Sequence, residues 1–302
     1  MASGFFQKQV MMRRVLYSLI PVYAFAFYMY GWRLIFLSIF VYGFGILTEY
    51  IMEKRQKRQV SEAVLVTSTL FVLSLPPATP WWIASIGIIF GVLFAKEVYG
   101  GFGRNIFNPA IAGRLFIYIT FPNIMTQSWL QPGNFGRATS DILTSATPLQ
   151  VLANGESFGL FELFFGLRSG SMGEGPIFLI LIAAIYLIAT KTASWKIMLS
   201  TFLSASILTG LFSLIGVQEA SYPLEFLLAG SFMFVTVFMA TDPVTAPKNE
   251  TSKWFYGIII GVTAILIRTF SLFPEGTSFG VLMGNTFAAL LDTAFATKKV
   301  KA

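Results

Sequence analysis

Hydrophobic positions along this 302-residue chain gather into long runs separated by polar connections. Runs able to cross, or nearly cross, roughly 30 Å of hydrocarbon at about 1.5 Å per residue occupy positions 15–32, 34–52, 62–76, 81–98, 106–121, 176–190, 195–215, 223–240, 254–271 and 277–297. The pattern predicts an all-α polytopic membrane protein with about ten transmembrane helices. The third and sixth runs are near the short limit. The third ends in Leu75-Pro76-Pro77-Ala78-Thr79-Pro80, so a broken or half-spanning helix is expected there.

One long polar connection, 122–175, divides the runs into a first membrane half at 1–121 and a second at 176–302. The halves echo one another. Positions 71–80, then Trp81 and Ile88-Ile89-Phe90-Gly91-Val92, match 234–243, then Trp254 and Ile258-Ile259-Ile260-Gly261-Val262. Asn108 in the fifth run answers Asn285 in the tenth. Five spans per half is an odd number, which puts the second half upside down relative to the first. Inverted halves with Pro-interrupted helices are how many transport folds build a midplane site. The connection is rich in Gly, Ser, Thr, Asn and Gln. Its one apolar patch, Leu160-Phe161-Glu162-Leu163-Phe164-Phe165, predicts a short interfacial helix.

Composition agrees with a bilayer: 55% of residues are hydrophobic and 12% charged, with a mean hydropathy of +0.71, against roughly 25% charged in soluble domains. Charge then orients the bundle. With the N-terminus inside, sixteen Lys and Arg fall on the inner side, and three, Arg33, Arg137 and Arg168, on the outer side. The positive-inside rule therefore predicts cytoplasmic termini and an outer connection, and it explains the net charge of +7 without nucleic acid. Lys8, Arg13 and Arg14 before an apolar run, with Ala24-Phe25-Ala26 after, imitate a signal peptide. The run continues through Tyr30, so the segment is expected to stay as the first helix.

The absence of Cys and His excludes disulfides, thiolate-bound clusters, histidine-ligated haem and most zinc sites. An electron carrier here must be organic. Charged groups at membrane depth, Glu49, Glu97, Arg114, Glu225, Arg268 and Asp292, with Asp242 at a Pro-broken end, are expected to face the protein interior or a cavity. None is assigned as an ion ligand.

Two polar stretches carry candidate chemistry. Gly100-Gly101-Phe102-Gly103-Arg104-Asn105-Ile106-Phe107-Asn108-Pro109-Ala110 joins the fourth and fifth runs. As a dinucleotide fingerprint it lacks the third Gly and a preceding soluble strand. It reads either as a tight turn or as an unwound segment whose polar groups, with Arg104 and Asn108, meet a cofactor or cation. Asp141-Ile142-Leu143-Thr144-Ser145-Ala146-Thr147-Pro148-Leu149 lies in the long connection. It is either an ordinary Ser/Thr turn or an attachment point. A threonine hydroxyl carries a phosphodiester when a partner enzyme presents an activated pyrophosphate. Small neighbours, Ser145 and Ala146, let such an enzyme close over the backbone, and Asp141 supplies a nearby carboxylate.

This second stretch resembles the flavinylation signature of the NqrB/RnfD family, whose members are membrane components of the sodium-translocating NADH:quinone oxidoreductase and of the Rnf complex. Four other stretches agree in the family's order: 75–81, 96–110, 240–244, and Phe273-Pro274-Glu275-Gly276 leading to Asn285 and Asp292. The chain departs from the family in lacking the longer N-terminal extension of the quinone-reductase member and the Ser-Pro-His lead-in of the Rnf member. It also has Phe102 where a small residue is frequent. The resemblance implies FMN joined through a phosphoester to Thr147, with Asp141, Thr144, Ser145 and Ala146 completing the motif. It further implies a multi-pass subunit in the bacterial inner membrane, inactive alone, within a multisubunit oxidoreductase that moves sodium or protons. Its implied partners are the other subunits of a quinone-reductase or Rnf-type complex, an FMN transferase for maturation, and membrane lipid. Riboflavin and a quinone site belong to the quinone-reductase branch, while NADH and iron belong to partner subunits. Two rival readings are a passive channel or solute transporter, with the long connection as a lid, and a purely structural anchor for partner subunits.

Overall fold

The computed structural model describes residues 5–130, 146–271, 273 and 276–296. In chain order the first half holds β1 (Phe6–Gln7), α1 (Val10–Tyr30), α2 (Trp32–Arg55), β2 (Val60–Ser61), α3 (Ala63–Leu73), α4 (Trp81–Ala95) and α5 (Pro109–Thr120). Three short helices follow in the connection: α6 (Pro122–Gln127), α7 (Pro148–Ala153) and α8 (Leu160–Phe165). The second half holds α9 (Ile177–Ala189), α10 (Trp195–Leu214), α11 (Pro223–Leu228), α12 (Phe232–Phe234), α13 (Glu250–Phe270) and α14 (Gly276–Ala294). α1, α2, α4 with the 3-10 turn that prolongs it, α10 and α13 are long and apolar enough to cross a membrane; α3, α5 and α9 are shorter apolar helices. Outward residues such as Ile39, Ile185, Ile207 and Leu214 are exposed, as lipid-facing positions are. The protein is an all-α polytopic membrane protein. The strands only fasten the N-terminus: Phe6 pairs with Val60 in parallel, and Arg13 meets Glu62 at 2.5 Å.

Local chemistry sets where helices stop. α3 is 11 residues long, enough for about half of the hydrocarbon, and ends before Pro76 and Pro77, as its sequence predicts. α5 begins at Pro109, later than the apolar run. Asn108 caps it, accepting from the Ala110 and Ile111 amides, and proline suits the first helical position. The eighth run, expected as one span, is broken. α11 stops at Leu228, Gly230 turns the chain with a φ of +61°, and α12 continues as a π turn, Val235–Met239.

Broken helices leave carbonyls that lipid cannot satisfy. Residues 168–174, assigned by the charge pattern to an outer surface loop, are buried instead and supply the missing donors. The Gly173 amide donates to the Leu73 carbonyl at 2.7 Å and the Met172 amide to the Leu75 carbonyl at 3.1 Å. Arg168 Nη2 donates to the Leu228 and Gly230 carbonyls at 3.2 and 3.5 Å. One segment thus closes the breaks of both halves. Packing repeats as well: α2 with α4 and α4 with α5 correspond to α10 with α13 and α13 with α14. Across the halves, α1 packs on α9 and α5 on α14. Close approach rests on glycine, since a Cβ on Gly91 would meet the Pro109 carbonyl and one on Gly276 the Ala264 carbonyl.

Candidate functional site

The two candidate groups read from the sequence sit at opposite ends of α5. Asn108 caps its first turn, and Tyr118, about 15 Å further along by helix rise, lines the cleft that holds Thr147.

At the Asn108 end, the side-chain carbonyl is used by the cap, while Nδ2 donates to Asp242 Oδ2 at 3.3 Å and toward the Met239 carbonyl at 3.5 Å. The Asn108 amide donates to Asn285 Oδ1 at 3.1 Å, and Asn285 Nδ2 donates to the Tyr256 hydroxyl at 2.7 Å. The two asparagines that answer one another in the sequence therefore meet where α5 packs on α14. Burial pushes the Asp242 carboxyl above its ordinary range, with hydrogen bonds from Val244, Thr245 and Asn108 partly offsetting it. The adjoining cavity is about 40 Å³, lined in part by Lys96, Phe102, Asn105 and Asp242, room for water-sized groups. Arg104 does not join this cluster. It is exposed, its side chain lying against Gly100, in a turn where Gly100, Gly101 and Gly103 all have positive φ.

Two deeper charges at this end, Lys96 and Glu49, pair with each other. Lys96 is 2% exposed and pairs with Glu49, and it also donates to Ser61 Oγ at 2.8 Å. Glu49 Oε1 accepts from the amide and hydroxyl of Ser61 at 2.7 and 2.6 Å.

At the other end, Thr147 is the N-cap of α7. Its amide donates to Gln150 Oε1 at 2.8 Å and its Oγ1 accepts from the Gln150 amide at 3.4 Å, a reciprocal capping box. Thr147 is 8% exposed, whereas its neighbour Ala146 is exposed. Asp141, Thr144 and Ser145 lie outside the described residues. The Thr147 wall belongs to a cleft of about 240 Å³ that also meets Tyr118, Trp129, Arg168 and Glu174.

Behind this cleft stands an ionic network in the bundle interior. Arg114, fully buried on α5, donates to Glu174 Oε1 at 3.0 Å and Ser171 Oγ at 3.1 Å, and its guanidinium lies 5.5 Å from the Tyr118 ring. Burial draws the Arg168 guanidinium below its ordinary value, and the Glu174 charge partly restores it. Tyr118, Trp129 and Glu174 carried no signal in the sequence, and Arg114 and Arg168 only a charge at an assigned depth. They come from three separate segments, and only the fold brings them to Thr147. The capping box was legible as Thr147-Pro148-Leu149-Gln150.

Cap, aromatic cleft and buried charges thus meet at one threonine in a bundle with two broken helices. Comparison with known proteins agrees. A family model described as the NQR2, RnfD, RnfE family matches residues 5–301. The chain is 37% identical over 282 residues to the B subunit of the Na(+)-translocating NADH-quinone reductase of Azotobacter vinelandii, covering 90% of this chain and 66% of that protein. It is 37% identical over 284 residues to the like-named protein from Pseudomonas aeruginosa strain LESB58, with the same coverage. The like-named protein of Pseudoalteromonas atlantica is 36% identical over 285 residues, covering 91% of this chain and 70% of its own length. On the match of nearly its whole length, this chain belongs to the NQR2, RnfD, RnfE family.

Proposed function

We propose that this chain is the membrane subunit of an ion-translocating oxidoreductase of the NADH:quinone kind, with FMN esterified to Thr147. The observation that carries this reading is the position of Thr147. The last Thr of the motif forms a wall of a cleft with three aromatic residues and a buried arginine, in a bundle whose halves are both broken. Relatives named as parts of a Na(+)-translocating NADH-quinone reductase support the coupling of electron flow to movement of sodium. A proton is the alternative ion. On this reading both termini lie in the cytoplasm of a bacterial inner membrane, and the halves are inverted about the contact of α5 with α14. The other subunits of the complex and a flavin transferase are its partners.

The residues fit the attached group. Tyr118, Trp129 and Phe273 give the cleft an aromatic lining suited to a planar heteroaromatic, and Arg168 is a fixed cation that favours an electron-rich one. FMN supplies reversible one- and two-electron redox chemistry. Attachment balances simply: Thr147 Oγ1 forms a bond to the phosphorus that carries the flavin, the pyrophosphate bond of the donor breaks, and the other phosphate half of the donor departs while the hydroxyl proton is lost. Because Thr147 is buried and holds the α7 cap, the transferase must reach it before α7 packs into place.

A second, non-covalent cofactor, riboflavin or quinone, finds no place at Asn108, and the exposed Arg104 lies apart from it. A cavity of about 40 Å³ does not fit a ring, so no step is routed through it. A passive pore finds no support, because residues 168–174 fill the space between the two breaks.

The test is a denaturing gel of protein made in membranes that hold the transferase. A fluorescent flavin band is expected from the natural chain and from Thr147→Ser. Thr147→Asn keeps an N-cap side chain but offers no hydroxyl, so it is expected to insert normally and run dark. A fluorescent Thr147→Asn band would refute the assignment.

A further inference from the structure

Where α9 hands over to α10, a cavity of about 410 Å³ opens on the rim of the bundle, sharing only Pro243 with the small cavity at the Asn108 end of α5. Lys191, Lys248 and Lys253 line it, with Lys196, the second residue of α10, nearby. Glu250 is the one acidic residue among the lining groups, and its carboxylate is taken: Lys196 meets Oε2 at 2.9 Å and Lys253 meets Oε1 at 2.5 Å. Among the described residues no carboxylate pairs with the side chain of Lys191 or Lys248. Asp292 accepts from the backbone amides of Lys248 and Asn249, at 2.8 and 3.0 Å.

Two further features aim at the same space. α10 runs for 20 residues and starts there, and Ser194 precedes it without capping it, so its first amides meet no side-chain acceptor. Lys191 has a φ of +54°, a left-handed position after α9 where glycine is the ordinary choice, and the sequence keeps a cation there. Level with the cavity, Trp195 is 48% exposed and packs edge-to-face on Trp254 with ring centroids 5.7 Å apart. Indoles at this level mark the headgroup region of a bilayer.

We propose that this cavity binds a phosphate group, filled from the membrane side by the headgroup of an anionic phospholipid. Unpaired lysines and uncapped amides supply the donors that phosphate oxygens accept. The tryptophans and the apolar ends of α9 and α10 take the glycerol and upper acyl chain. The proposal does not depend on the flavin at Thr147.

The full chain, purified in a zwitterionic-lipid background, is titrated with phosphatidylglycerol, phosphatidylcholine or inorganic phosphate, and bound lipid is counted by native mass spectrometry. Phosphatidylglycerol is expected to leave one tightly held molecule that phosphatidylcholine does not replace. The double variant Lys191→Gly, Lys248→Gln is expected to hold it about thirtyfold more weakly, from roughly one surface charge's worth per lysine. Lys191→Gly suits the left-handed backbone, so lost retention with an unchanged unfolding midpoint is a loss of binding and not of folding. Equal retention of phosphatidylcholine, or unchanged retention by the double variant, would overturn the proposal. Competition by millimolar inorganic phosphate as strong as by the lipid would overturn the lipid as its source.

Discussion

At the residue scale, Thr147 does two jobs with one oxygen. It caps α7 through the Gln150 amide, and on the proposed reading it carries the ester. The two are compatible, because the bridging oxygen of an ester still accepts weakly and the capping box keeps the Thr147 amide bonded to Gln150 Oε1. Glu174 is the other pivotal residue. It neutralises Arg114 in the bundle interior, and the backbone carbonyl of the same residue accepts from Arg168 at 3.0 Å. Glu174→Ala leaves the buried Arg114 charge without its carboxylate and is expected to cost about 3–5 kcal/mol of stability, measured as a lowered unfolding midpoint in detergent. Arg114→Met combined with Glu174→Met should recover much of that loss. A single variant as stable as the natural chain would contradict the role given to the pair. Sequence alone exposed Arg114 as a charge at membrane depth but not Glu174, which sits in a stretch of Gly, Ser and Arg that composition assigns to the surface.

At the scale of elements, breaks decide the architecture. The α3 break was legible because two prolines cannot donate or continue a helix. The break at 229–231 was not, since Ala229-Gly230-Ser231 lacks proline and sits within an apolar run. Gly230 is the hinge of that break. A Cβ there would lie 2.7 Å from Leu149 Cδ1 and 3.1 Å from Arg268 Nη2, on a backbone with φ of +61°. Gly230→Ala is therefore expected to cost about 2 to 4 kcal/mol from left-handed strain and overpacking. Leu149 belongs to α7, so the same variant should disturb the Thr147 end and lower flavin content. An unfolding midpoint equal to that of the natural chain would show that the break tolerates a side chain. The buried course of residues 168–174 was equally hidden, because its cause is a hydrogen-bonding demand made by two distant helices.

At the scale of the whole molecule, α5 ties the account together. One end meets α14 at Asn108 and Asn285, the other ends beside Thr147, and Arg114 sits between them in the sealed interior. The runs, the repeat and the charge asymmetry made the all-α membrane class readable, since a bilayer demands long apolar helices. Pairing across the halves was readable only where Asn108 and Asn285 stood at matching places. Orientation is open to a direct check because the natural chain has no Cys. Ala146→Cys, at an exposed position, should react with an impermeant maleimide added to intact cells, whereas Arg104→Cys, also exposed, should react only after the membrane is opened. The opposite pattern would invert the proposed topology.

The most direct measurement is the mass of the peptide containing position 147, from protein made in membranes of a host with the flavin transferase. The expected result is a peptide that carries the mass of FMN less one water, on Thr147. An unmodified peptide from fully inserted protein, or the same increment on another residue, would contradict it.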